Sequence, residues 1–182
     1  MSKDRRGKRK PMPKAKISPY THFKLYNMEE HRLVLKAEHE LIACFFAAVR
    51  KSEGFGAERM QRVYDEMMNM YECIELRIVT YRELEKQMDI ETHLDMNIEE
   101  ARKRRLKLDR LGQLQDVATV RASDLFLWAL HESEGFGNER LHRVYGYAAK
   151  ICQDVMDGKT TYEDCYAEVK KAGFDYHVTK VF

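Results

Sequence analysis

After Pro19 the 182-residue chain contains no proline, its three prolines being Pro11, Pro13 and Pro19. A proline-free body of that length favours helices throughout, since proline breaks helix interiors and marks loops. The four cysteines (Cys44, Cys73, Cys152 and Cys165) include no CxxC pair and no metal-ligand spacing. Three of them fall within apolar helical patterns, which predicts reduced core thiols in a cytosolic protein. No apolar run approaches the length needed to cross a bilayer. The basic start runs into prolines rather than an apolar leader core. The expectation is a soluble protein of the bacterial cytoplasm with no membrane partner.

Catalytic signatures are also missing. The histidines (His22, His31, His39, His93, His131, His142 and His177) show no ExxH, HExxH or HxH spacing. No glycine-rich phosphate loop or GxSxG turn occurs, and Gly-Phe-Gly lacks the Lys-Ser/Thr of a P-loop. Glu38-His39-Glu40 reads as a helix surface, because helical neighbours point in different directions. These absences predict a non-enzyme with no cofactor and no metal.

What is present is the same unit twice, 81 residues apart. Phe45 to Tyr64 returns as Phe126 to Tyr145, with Ser-Glu-Gly-Phe-Gly identical in both copies, as are the following Glu, two Arg and Val-Tyr. The register holds without a gap to Thr80-Tyr81, which matches Thr161-Tyr162. A gap-free repeat of that period points to internal duplication rather than a solenoid. It presents two similar surfaces to a partner instead of one asymmetric pocket.

Charge is unevenly spread. Residues 1–17 carry eight Lys or Arg against Asp4, a net +7, so with +2 for the whole chain the remainder carries −5. Segment 1–18 is too charged and too poor in apolar residues to fold alone, which predicts a disordered basic arm. Asn27 reads as the first N-cap, followed by a stripe of Val34, Leu41, Ile42, Phe45, Phe46 and Val49 at helical spacing. Gly54 ends that helix in the left-handed conformation, Phe55 plugs the turn, and Gly56 lets the chain re-enter helix. The next helix buries Met60, Val63, Tyr64, Met67, Tyr71 and Ile74. Thr80-Tyr81-Arg82-Glu83 is a capping box opening a third helix through Leu84 and Met88.

The second copy repeats this plan with Leu125 to Leu130, then Leu141, Val144 and Tyr145, then Thr161-Tyr162-Glu163-Asp164. Between the copies Asn97-Ile98-Glu99-Glu100 starts a basic helix that ends near Gly112. Phe174 to Phe182 partly alternates, as in a short strand. The predicted fold is all-α: a basic arm (1–18), a first helical unit (19–96), a basic connecting helix (97–112) and a second unit (113–182), each unit of three helices.

Several residue groups carry alternative readings. The turn unit is explained structurally by its caps, or functionally as a helix-turn-helix that projects Arg59, Arg62, Arg140 and Arg143. These arginines lie away from the apolar stripe of their own helix, but a DNA-reading turn favours a small residue where Arg50 and His131 stand. The arm (Arg5, Arg6, Lys8, Arg9, Lys10) and the cluster Arg102, Arg104 and Arg105 are candidate phosphate contacts, with affinity that falls as salt rises. Their plainer reading is a solvated arm and helix face. Met60, Met67, Met68 and Met70 suit core packing, with homodimerisation as the alternative. Trp128, opposite Ala47 in the repeat, reads as core.

The unit Gly54-Phe55-Gly56-x-Glu58-Arg59-x-x-Arg62 followed by Thr80-Tyr81-Arg82-Glu83 resembles small helical proteins encoded by phages and mobile elements of Firmicutes. In those a Phe-Gly-Phe-Gly-like turn precedes an arginine-bearing helix and a short capped helix. Here Glu53 stands where the first phenylalanine is usual. The double-copy layout with a basic arm also resembles anti-CRISPR inhibitors of type II RNA-guided nucleases. That likeness implies a guide-loaded CRISPR effector nuclease as partner, with duplex DNA as a further contact. It implies steric and electrostatic inhibition without catalysis. The alternative is a DNA-binding accessory or regulatory protein of a phage or mobile element.

Overall fold

A computed structural model describes residues 19–94, 103 and 105–175, with side chains from Met28 onward. The basic arm, the start of the connecting helix with Arg102 and Arg104, and nearly all of the C-terminal segment lie outside the described residues. Within them the fold is all-α. Six helices run in the order α1 (Pro19–Glu53), α2 (Ala57–Glu75), α3 (Tyr81–Thr92), α4 (Arg110–Glu134), α5 (Asn138–Met156) and α6 (Tyr162–Lys171). Among the described residues no helix is long and apolar enough to cross a membrane.

The helix ends follow local chemistry. Pro19, whose fixed φ suits a first helical position, opens α1, so Asn27 is a mid-helix residue and not the cap its sequence context suggests. At the other end Gly54 takes φ 65° and Gly135, its counterpart after α4, takes φ 64°. A Cβ there would meet the following carbonyl, so glycine is the residue that turns the chain at low cost. Gly56 and Gly137 cap α2 and α5 from extended backbone at φ −94° and −84°, and neither helix has a side-chain cap. Thr80 and Glu83 form the expected capping box of α3, and Thr161 and Asp164 that of α6. Gly112 does not end a helix. Asp109 caps α4 by accepting from the Gly112 backbone N–H at 2.8 Å, which places Gly112 in the first turn. Phe174 and Asp175, the described part of the predicted strand, are not in strand.

The two sets of three helices do not form two bundles. The long helices α1 and α4 pack together. Each is then covered by the short helices of the other set: α5 and α6 lie on α1, while α2 and α3 lie on α4. One continuous core results, running from Ile42 and Phe45 through Phe126 and Leu130 to Val169 and Phe174. Phe45 stacks on Phe126 at 4.9 Å, and Phe55 meets Phe136 edge to face at 5.8 Å. Each pair joins equivalent residues of the two copies. Contact between equivalents places both pairs on an approximate twofold axis between the halves. Such ring pairs add about 0.5–1.5 kcal/mol each beyond the area they bury.

Met60 and Met67 are core residues, and Trp128 packs half-buried against the core. Tyr145 departs from its expected place, with a side that stays in solvent at 40% exposure although its ring lies 6.4 Å from that of Phe45.

The two glycines of each turn should respond oppositely to substitution. Gly54→Ala should cost about 1 kcal/mol by forcing a Cβ into left-handed backbone. Gly56→Ser should change stability by a few tenths of a kcal/mol or raise it. The Gly56 backbone is already extended and a Cβ would meet no atom within 4 Å. Chemical denaturation of the two variants checks this.

Candidate binding surface and buried polar sites

The arginines of the repeated motif point across the axis. Arg59 Nε donates to Glu134 Oε2 at 2.7 Å, and Arg62 Nε donates to Glu134 Oε1 at 3.0 Å. In the mirror set Arg140 Nη2 donates to Glu53 Oε2 at 3.0 Å and Arg143 Nη1 to Glu53 Oε1 at 3.1 Å. Two arginines of one copy therefore hold the last residue of the other copy's long helix. The glutamate side chains are almost fully buried, at 7% and 6% exposure for Glu53 and Glu134, whereas the arginines are a third to a half exposed. Arg59 also lies 3.7 Å over the Phe55 ring and Arg140 3.5 Å over Phe136. The guanidinium planes are thus fixed between an aromatic face and a carboxylate.

Each cluster contains two guanidinium charges and one carboxylate, leaving an excess positive charge. A guanidinium has five N–H donors, more than the glutamate takes up. The arrangement ties the end of each long helix to the other copy while leaving the arginines a third to a half exposed. The glutamates belong to the Ser-Glu-Gly-Phe-Gly motif, yet their partners are more than seventy residues away.

Arg105, the described member of the connecting cluster, pairs with the buried Asp116 at 2.5 Å. Nearby Arg110 holds Glu30 on α1 through Nε at 2.8 Å and Nη2 at 2.5 Å. Both cations fasten the start of the second copy to its neighbours. Arg5, Arg6, Lys8, Arg9, Lys10, Arg102 and Arg104 lie outside the described residues.

Beyond Asp116, the carboxylates Glu38 and Asp124 are buried. Glu38-His39-Glu40 is not a helix surface: Glu38 is 5% exposed and sits on the α1 stripe between Val34 and Ile42. Burial raises the Glu38 carboxyl to about 7; Arg121 opposes that shift and Glu75 adds to it. Its Oε1 is 3.8 Å from Arg121 Nη1 and makes no hydrogen bond. Asp124 on α4 is 3% exposed, and burial with the nearby Glu85 charge raises it to about 8. Burial lowers the His39 imidazole to about 4. Glu38, Tyr71, Tyr81 and Arg121 line an open cavity of about 400 Å³ between α1, the end of α2, the start of α3 and α4. Burial raises Tyr71 to about 12 and drives Tyr81 up as well.

In the opposite half Thr119, Cys152, Tyr162 and Glu40 stand at the equivalent places. That half also brings together the thiols of Cys44, Cys152 and Cys165, and the neighbouring thiols with burial push the Cys44 thiol upward. All four cysteines are free, as the sequence predicts.

No family model, curated protein or solved structure matches this chain.

The buried carboxyls set a pH signature. Glu38 and Asp124 have folded-state values raised above those of the unfolded chain, so their contribution is present in acid and lost as pH rises through about 7 and about 8. His39 acts in the other direction, its contribution being present above its ordinary 6.5 and lost as pH falls towards about 4. Above pH 6.5 the opposing His39 change is over while the carboxyls still act, so thermal stability should decline from pH 6.5 to about pH 8. Asp124→Asn should flatten that decline, matching wild type only in acid near the ordinary aspartate value of 3.8 and exceeding it by a margin that grows up to about pH 8 in thermal melts.

Proposed function

We propose that this chain is a non-catalytic binding protein of a phage or mobile element, acting in the bacterial cytoplasm on a large partner that carries nucleic acid. The observation supporting it is the twofold pair of arginine clusters, Arg59 with Arg62 and Arg140 with Arg143. Each is held rigid by a single buried glutamate that leaves one positive charge uncompensated. Rigid guanidinium groups bind phosphate with little ordering cost. The basic arm adds seven net charges within seventeen residues to the same preference.

The specific partner is the one implied by the likeness in layout: a guide-loaded type II CRISPR nuclease. Its channel holds the phosphate backbones of the guide–target duplex. The protein inhibits by occupying surface that target DNA needs, with no bond made or broken. Duplex DNA by itself is the second reading, favoured by the arm, whose charge density suits any polyanion.

Target cleavage by guide-loaded type II nucleases, titrated with the protein at fixed salt, separates these readings. Inhibition should saturate near equimolar protein and persist in excess competitor DNA. The double variant Arg62→Ala/Arg143→Ala should weaken it by about tenfold or more, the scale of losing well-placed interface arginines. If competitor DNA abolishes inhibition, DNA binding is the function. The variant should then reduce the salt dependence of DNA affinity by about two phosphate contacts. No effect on cleavage and no affinity for DNA would overturn both.

A further inference from the structure

The second copy departs from the first in the last turns of its long helix. Where the first has Arg50-Lys51, the second has His131-Glu132. Arg50 and His131 hold the turn in the same way: Arg50 Nη1 donates to the Phe55 carbonyl at 2.9 Å, and His131 Nδ1 lies 2.9 Å from the Phe136 carbonyl. A carbonyl oxygen only accepts, so Nδ1 carries a proton. In the neutral imidazole Nε2 then presents a lone pair on the opposite edge of the ring.

That lone pair faces another acceptor, Glu91 Oε2, at 3.2 Å. Two acceptors so close call for a cation, either a proton on Nε2 or a metal ion shared by both. Glu132 supplies a second carboxylate, and the ligand atoms of Glu91, His131 and Glu132 all lie within 4.8 Å of one another. The Nδ1–H to carbonyl contact is the kind of outer bond that orients a metal-binding imidazole. Glu91 is steadied too, since its Oε1 accepts from Gln87 Nε2. Asn138 Nδ2 donates to the His93 carbonyl at 2.7 Å, fastening the end of α3 to the start of α5 beside the cluster.

We propose that Glu91, His131 and Glu132 bind one divalent transition cation of the zinc class. Nε2 and one oxygen from each carboxylate are the ligands, and solvent completes the shell on the exposed side. One imidazole nitrogen with two carboxylate oxygens suits zinc, cobalt or nickel better than the all-oxygen preference of calcium. The ion clips the end of α3 to the end of α4, across the connection between the two copies. The first copy, with Arg50 and Lys51 at these positions, has no counterpart site.

Trp128 is the only tryptophan, and its ring lies 6.2 Å from the His131 ring. It is therefore a built-in reporter, because open-shell cobalt or nickel ions quench nearby indole fluorescence. Titrating the full chain with Co²⁺ should give saturable one-site quenching that Zn²⁺ reverses. His131→Arg should keep the turn, since Arg50 already does so in the first copy, and should abolish the quenching. Glu91→Gln and Glu132→Gln should each weaken binding by at least the ~10-fold that loss of an outer-shell partner alone produces. Circular dichroism confirms folding of each variant, and the exposed Glu132→Gln keeps the test open if His131→Arg misfolds. Absence of saturable quenching, or quenching unchanged by a folded His131→Arg or by Glu132→Gln, would overturn the site.

Discussion

The exchanged grip of Glu53 and Glu134 is the constraint on which the rest of the structure depends. Each carboxylate ends one long helix and is held by two arginines from the other copy, beside a phenylalanine that meets its own equivalent on the axis. Burying a carboxylate is costly unless its lone pairs are filled. Two guanidinium partners fill them, both supplied by the other copy. The same crossing lays α5 and α6 on α1, and α2 and α3 on α4, so the core cannot be divided between the copies. The outward positive charge of the arginines follows from having two cations for each acid.

Approximate symmetry in the backbone leaves the two halves free to differ in chemistry. Around α1, α2 and α3 the interior admits Glu38, Tyr71, Tyr81 and Arg121 beside a cavity. The matching positions of the other half are Thr119 for Glu38, Cys152 for Tyr71, Tyr162 for Tyr81 and Glu40 for Arg121. Likewise Arg50-Lys51 gives way to His131-Glu132 at otherwise matched helix ends. Such differences cost the fold little, because the glycine turn, the paired phenylalanines and the arginine grip are shared.

Much of this was legible in the residues. Helical spacing, the Gly54 and Gly135 stops and both Thr capping boxes depend on neighbours within a few positions, and all three appear where expected. Asn27 misled because a good capping residue is also tolerated inside a helix that Pro19 can open earlier. Gly112 misled because glycine near a helix end is as compatible with a first turn as with a stop. The arginines were read correctly as lying off their own helix's apolar stripe. Off the helix is not outside the protein, however, and periodicity says nothing about which distant helix lies opposite. Glu38 was recoverable: it falls on the line Val34, Glu38, Ile42, four residues apart, and so on the buried face. Asp124, flanked by Ser123 and Leu125 in an otherwise apolar run, carried the same signal. Glu91 and His131 come from different helices, and no local spacing could join them.

The most direct measurement separates the chain within its connecting segment into residues 1–100 and 101–182, and records the helicity and thermal unfolding of each half alone and mixed. An exchanged core predicts that neither half shows a cooperative transition alone, because each lacks the helices that cover its long one. An equimolar mixture should recover the helicity and single transition of the intact chain. A half that melts cooperatively by itself, unchanged by the other, would contradict the crossed arrangement and mean that each copy folds on its own helices.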